Sequence, residues 1–380
     1  MPKKILYLLS LLLLLYSCRT IRTNLDKVAA IEGMVLHTGI IDCFEEGLLN
    51  PDGTPVFCEA SAITKMDNRL LIAIDKPMPA GKGLSTVFSV PLSEIRSDKI
   101  NRSLIQYALE QAFQNVIKIE ALTQAEDGRF FAATAFDRIK SSTPDWDGYN
   151  ALLSWNGAEF ENLQYLDSIT TGSFTSSKNL RKAFQKVLTT NAFPNGVPYF
   201  KVEALAALPG NRLIFGIREL GESYLKFDYT FTLIEANYTR TPNGILIQPD
   251  FKRLYDFQPF VEGQPLGISD LIYHADSKSL LALTSYEESI ADESKKTFYT
   301  YLWVLPLSKM AAQQAPIPIK TATGTALQLP HKGEGLCLLD DKTLLIIHDE
   351  DRKPSTVQLA TTTTTRQPHQ AVYSIVRLKW

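Results

Sequence analysis

The chain has 380 residues, 45% of them hydrophobic and 21% charged, with 39 Lys and Arg against 41 Asp and Glu and a formal net charge of -2. These proportions describe an ordinary globular protein with ample apolar material for a core, and they exclude a chain disordered throughout. The near-balance of charge removes the basic field that nucleic acid would require, so no nucleic-acid partner is expected.

The amino terminus reads as an export signal. Lys3 and Lys4 precede an apolar run at 5–16, and Leu15-Tyr16-Ser17-Cys18 sets a cysteine after a small residue. A helix over this run rises about 18 Å at about 1.5 Å per residue, short of a roughly 30 Å hydrocarbon core, so cleavage is expected rather than a membrane span. The order resembles a bacterial lipobox, which implies diacylglyceryl attachment to Cys18, cleavage before it and acylation of the new amine, enough lipid for stable anchoring. Tyr16 is bulkier than the pattern prefers, and the alternative is an ordinary secretory signal with a chance cysteine. The expected organisation is a signal peptide at 1–17, a tether at 18–26 and a propeller at 27–380. The expected location is the bacterial cell envelope, with the lipid in the outer membrane and the propeller facing the periplasm.

Of the remaining cysteines, Cys43 and Cys58 flank the turn-rich Asn50-Pro51-Asp52-Gly53, while Cys337 sits in an apolar strand. A local Cys43–Cys58 disulfide and two free thiols are both open readings; metal binding by thiolates is excluded, because no CxxC or comparable ligand spacing occurs.

Five copies of one pattern then organise the chain: a short strand opening on a polar or acidic residue, a polar turn, and a second apolar strand. The first strands begin at Ser61-Ala62-Ile63, Glu120-Ala121-Leu122, Glu203-Ala204-Leu205, Ser269-Asp270-Leu271 and Glu334-Gly335-Leu336. Turn residues Asp67-Asn68, Asp127-Gly128, Gly210-Asn211, Asp276-Ser277 and Asp340-Asp341 mark each pair as a hairpin. Spacings of 59, 83, 66 and 65 residues between the first motif residues leave room for a four-stranded blade and its connections. Further strands are expected at 85–90, 149–155, 229–235, 298–305 and 373–380, from alternating aromatic or β-branched residues. The fold class is therefore all-β, a propeller of five blades with six as the alternative, closed by pairing 373–380 with a segment within 28–41. Helical periodicity at 103–116 and 177–190 predicts two surface helices on one end of the disc, and the polar run 361–365 predicts an exposed loop.

The stretches Ile119-Glu120-Ala121-Leu122, Val202-Glu203-Ala204-Leu205, Gly267-Ile268-Ser269-Asp270-Leu271 and Gly333-Glu334-Gly335-Leu336 resemble the repeated IEGLA-type strands of a bacterial propeller family without an assigned activity, related in fold to the esterase-like phytase propellers. The resemblance covers about residues 57–352 and implies the fold, while leaving the activity open. Ala121 and Ala204 stand where that family has glycine, and Ser61 and Ser269 where an acidic residue would be usual.

In a propeller the first strand of each blade lines the axis, so Glu120, Glu203 and Glu334, with Asp270 one residue on, are expected to converge. Crowded carboxylates either raise their pKa values or take a cation, and Ca²⁺ is the expected ion for such an oxygen set. The opposing expectation is that Lys118, Lys201 and Lys332 neutralise them. A second ring is expected from residues leaving the second strands: Asp75, Asp137 with Arg138, Arg218, and His348 with Asp349. These would hold a small-molecule or protein ligand at the channel mouth. The sequence lacks a nucleophile elbow, a P-loop, an HExxH and a dinucleotide fingerprint. Two functions remain: a lipid-anchored binding propeller, or a metal-dependent ester hydrolase using Glu120, Glu203, Glu334 and Arg218.

Overall fold

The computed structural model describes residues 31–380 apart from 140–144, 243, 262 and 289–296. The expected signal at 1–17 and the whole expected tether at 18–26, including Cys18, lie outside the described residues.

Each of the five hairpins forms where its turn residues place it. Met66 pairs with Arg69 around Asp67-Asn68, and Asp67 takes the positive φ of 54° that a short acidic residue tolerates. Leu208 pairs with Arg212 around a loop in which Gly210 and Asn211 adopt φ of 84° and 59°. Third and fourth strands complete five blades, antiparallel throughout except that Lys99–Ile100 pairs in parallel with the strand that closes the fifth. Blade 1 contains Ala60–Met66, Arg69–Ile74, Val87–Pro91 and Gln106–Tyr107. Blade 2 contains Ile119–Gln124, Arg129–Thr134, Leu152–Asn156 and Glu161–Tyr165. Blade 3 is the largest, with Tyr199–Leu208, Arg212–Ser223 and the long Lys226–Thr241, which pairs with both Gly244–Ile247 and Lys252–Phe257. Blade 4 contains Gly267–His274, Ser279–Glu287, Phe298–Pro306 and Ile317–Pro318.

Blade 5 closes the ring. Gly333–Asp340, Thr343–His348 and Gln370–Lys379 come from the end of the chain, and Glu32–Asp42 joins antiparallel to Gln370–Lys379 as expected. The first strands of successive blades contact one another around the circle, blade 5 returning to blade 1. The core accordingly divides into five apolar slabs, each between neighbouring blades. Phe131 of blade 2 packs with Phe200 and Phe215 of blade 3, for example, and Ile63 and Phe88 of blade 1 with Leu345 and Tyr373 of blade 5. The fold is thus an all-β propeller of five blades.

Cys43 and Cys58 form a disulfide with a Cα–Cα distance of 6.4 Å, tying the closing strand to the segment that enters blade 1, and Cys337 is a buried free thiol.

Three short α-helices occur among the described residues, at Gln111–Asn115, Leu180–Val187 and Leu307–Ala311. The first is far shorter than the helix expected over 103–116. A 3₁₀ turn at Arg102–Leu104 and the strand Gln106–Tyr107 replace its beginning, because blade 1 needs a fourth strand against Phe88 and Ser89. Leu109, counted in the helical stripe, is 58% exposed. The second helix stands as expected and seats Leu180 and Phe184 in the slab between blades 2 and 3. Within the polar run 361–365, Thr363–Thr365 pairs with Thr356–Gln358 instead of remaining an irregular loop, as a β-branched threonine run readily does.

Candidate functional site

A β-bulge recurs at one position in every blade. The register of first against second strand skips one residue between Ala60 and Ala62, Ile119 and Ala121, Val202 and Ala204, Ile268 and Asp270, and Gly333 and Gly335. The residues left out of the ladder are Ser61, Glu120, Glu203, Ser269 and Glu334. A bulge bends its strand and re-aims the side chain it carries. Glu120, Glu203, Glu334 and Ser61 thereby line one chamber of about 380 Å³ at the mouth of the channel.

Two residues before each bulged glutamate stands a lysine. Lys118 lies 3.6 Å from Glu120, Lys201 bridges Glu203 and Glu120 (3.3 Å to the latter), and Lys332 lies 2.9 Å from Glu334. Burial pushes the Glu120 carboxyl up to about 7 against the pull of Lys201 and Lys118. Burial acts on Glu203 too, but Arg218 at 3.3 Å and Lys201 outweigh it and hold that carboxyl below its usual range. Two neighbouring carboxylates are therefore driven in opposite directions. Glu334 is raised, again chiefly by burial.

The residues leaving the second strands enter the same chamber, because antiparallel pairing returns each second strand to the end where the first began. Asp75, Arg138, Arg218 and Asp349 line it together with the ring glutamates. Arg218 is 3% exposed and crosses to blade 4, donating to Ser269 Oγ at 2.8 Å and Ser285 Oγ at 2.9 Å, with its guanidinium 4.9 Å from the Tyr229 ring centre. The guanidinium of Arg138 lies 4.4 Å from the ring centre of Tyr149.

Three of the expected residues lie elsewhere. Asp137 is buried behind Arg138, bonded to it and to Lys118 at 2.8 Å, and faces an adjoining cleft with Trp146 and Tyr199. Asp270 spends both oxygens on backbone, accepting from Leu271 N at 2.7 Å and Leu336 N at 2.6 Å, so it clasps blade 4 to blade 5. Burial outweighs those two bonds and raises its pKa well above the usual value. His348 is fully buried, with Nε2 2.9 Å from Ser374 Oγ; burial and the nearby His331 lower its pKa far enough to keep the ring neutral.

Lys76, Glu287 and Tyr229 also line the chamber, and Glu59 adjoins it through its ion pair with Lys76; Glu59, Glu287 and Tyr229 were not singled out as candidates from sequence. Glu59 had a readable signal, since it stands two residues before Ser61, the place held by Lys118, Lys201 and Lys332 in other blades. Blade 1 thus carries an acid where three blades carry a base, and Lys76 compensates from the next strand at 2.5 Å.

No protein-family model matches the chain, and neither does any curated protein. Solved structures show distant likenesses to it. A DUF4623 family protein from Bacteroides eggerthii has a TM-score of 0.40 at 6% identity, over 93% of this chain and 78% of that one. A glycosyl hydrolase from Bacteroides ovatus has a TM-score of 0.35 at 8% identity, over 85% and 84%. A luciferin-regenerating enzyme has a TM-score of 0.33 at 8% identity, over 86% and 94%.

Proposed function

We propose that the chain is an exported, lipid-anchored binding propeller that takes a small polar molecule bearing an acidic group into its mouth chamber. The observation that carries this reading is the chamber itself: the described residues lining it include six cationic and eight acidic side chains contributed by all five blades. Charges buried in this density are a poor way to stabilise a fold, because desolvation offsets most of their attraction. Around a cavity they instead form a preorganised surface for a polar ligand. Arg218, Lys201, Lys118 and Arg138 gather on the blade 2 and blade 3 side, and Tyr149, Phe227 and Tyr229 supply ring faces beside them. A carboxylate or phosphate would meet its donors there. The Cys43–Cys58 disulfide supports an oxidising, extracytoplasmic setting, in keeping with anchoring through Cys18 in the outer membrane, and fractionation of a Cys18→Ala variant tests that anchor.

Thermal unfolding followed by calorimetric titration, with glucuronate, glucose 6-phosphate, glutamate and neutral glucose as probes, tests the binding reading. At least one acidic probe should raise Tm where glucose does not, and Lys118→Gln or Arg218→Gln should weaken it about tenfold, the worth of about 1.4 kcal/mol. Failure of every acidic probe, or equal binding by both variants, overturns the reading.

A further inference from the structure

A second cleft, of about 470 Å³, opens beside the chamber on its blade 2 and blade 3 side, and Arg138 lines both volumes. Tyr199 on the cleft side donates its hydroxyl to Glu219 on the chamber side at 2.5 Å. Its ring centre lies 6.0 Å from that of Phe227, a chamber residue whose ring is in turn 5.4 Å from Tyr229. Aromatic rings therefore run from the chamber to the cleft without a break.

Four large aromatic side chains are exposed among the described residues, and two of them, Trp146 at 41% and Tyr224 at 67%, line this one cleft. Trp146 stands just before the 3₁₀ turn Asp147–Tyr149, and Tyr224 at the tip of the hairpin that joins Arg212–Ser223 to Lys226–Thr241. Ring surface left open at the rim of a polar chamber marks a place for a ligand with apolar faces. The polar groups beside the rings are mixed: Arg138 and Arg181 offer N–H donors, Glu222 a carboxylate and Ser223 a hydroxyl. A pyranose meets both demands, because its C–H groups give it apolar faces while the hydroxyls around its edge both donate and accept. A nucleobase shares the faces but not the edge of hydroxyls.

We propose that the ligand is an acidic oligosaccharide, with a uronic acid in the chamber against Arg218 and Lys201 and the adjoining sugar in the cleft, packed on Trp146 and Tyr224. This names the ligand class of the binding reading and rests on that reading. Arg138 stands at the junction of the two units. Its guanidinium is fixed there by two bonds of 3.1 Å to the carboxylate of Asp137 and by the Tyr149 ring beneath it. A single acidic sugar fills the chamber and leaves the cleft rings in water, whereas a second unit covers them, so affinity grows with chain length.

The test is calorimetric titration of the full-length protein with glucuronate, galacturonate and mannuronate, with the matching disaccharides cellobiouronate, digalacturonate and dimannuronate, and with adenosine monophosphate. At least one disaccharide should bind about tenfold more tightly than its monosaccharide. Tyr224→Ala should cut that ratio to about threefold or less, and Trp146→Ala should do so independently, which keeps the test open if one of the two does not fold. Equal affinity for mono- and disaccharide, or an unchanged ratio in the folded variants, overturns the proposal and leaves the chamber reading standing on the monosaccharides. A gain that depends on these rings for adenosine monophosphate, and for none of the disaccharides, also overturns it and assigns the cleft to a nucleobase. If no saccharide binds, the proposal fails, and the chamber reading is decided separately by glutamate and glucose 6-phosphate.

Discussion

Glu120 lies between two demands. The bulge that turns it into the chamber also buries it, and burial favours the neutral acid, while Lys201 and Lys118 favour the carboxylate. The balance leaves the folded-state carboxyl near 7, against about 4.5 for an unperturbed glutamate. Between those values the folded protein holds a proton that the unfolded chain has released, so this group's contribution to stability is present at low pH and is lost as pH rises through the window. Glu120→Gln removes the proton exchange while keeping the shape. Relative to wild type, the variant should therefore gain on the order of 2 kcal/mol between pH 5 and pH 8, measured by denaturant unfolding at each pH. A wild-type minus variant difference that stays constant with pH contradicts the assignment. His348 titrates in the opposite sense, its depressed pKa adding stability as pH rises. For that reason the difference between the two proteins, and not the wild-type profile alone, is the informative quantity.

At the scale of elements, what was legible in the sequence was what local chemistry decides. Turn residues such as Asp67 and Gly210, and alternation in the strands around them, are properties of a few neighbouring residues, so the hairpins, their spacing and the closing strand could be read directly. The helix over 103–116 could not. Leu104 and Ile105 satisfy helical spacing, yet they pack into the core from a 3₁₀ turn that leads into an edge strand, and the missing fourth strand of blade 1 decides between the two. The five bulges were also hidden, because an unpaired residue exists only relative to its partner strand. They account for the glutamates pointing into the chamber while Asp270, one residue on, turns its carboxylate to the backbone. Gly335 shows how closely the inner strands approach: a Cβ there would lie 2.6 Å from Ile347 Cγ2, 3.0 Å from Ile63 N and 3.1 Å from Ala62 C. Gly335→Ala must push blades 5 and 1 apart and should cost about 1–3 kcal/mol, read from the denaturant midpoint. Unchanged stability would show that this seam is looser than described.

At the scale of the molecule, the ring converts a sequence repeat into a place. No single blade could gather Arg218, Lys201, Glu120, Glu334 and Asp349 around one volume. Five blades do so because each contributes the same two positions, the bulge of its first strand and the exit of its second, to one end of the disc. The variation among blades then shapes the chamber. Lysine stands two residues before the bulged residue in blades 2, 3 and 5, Glu59 takes that place in blade 1, and the second strands bring Asp75 and Asp349 from their ends in blades 1 and 5 and Arg218 from within the longer strand of blade 3. This yields a basic wall and an acidic wall facing each other, and the basic wall is the side suited to an anion. The most direct measurement is a crystal structure of the protein soaked with the acidic probe that raises Tm most. The account predicts density for the probe against Arg218 and Lys201. A probe bound on another face, with the lysine–carboxylate pairs of the chamber intact, would contradict it.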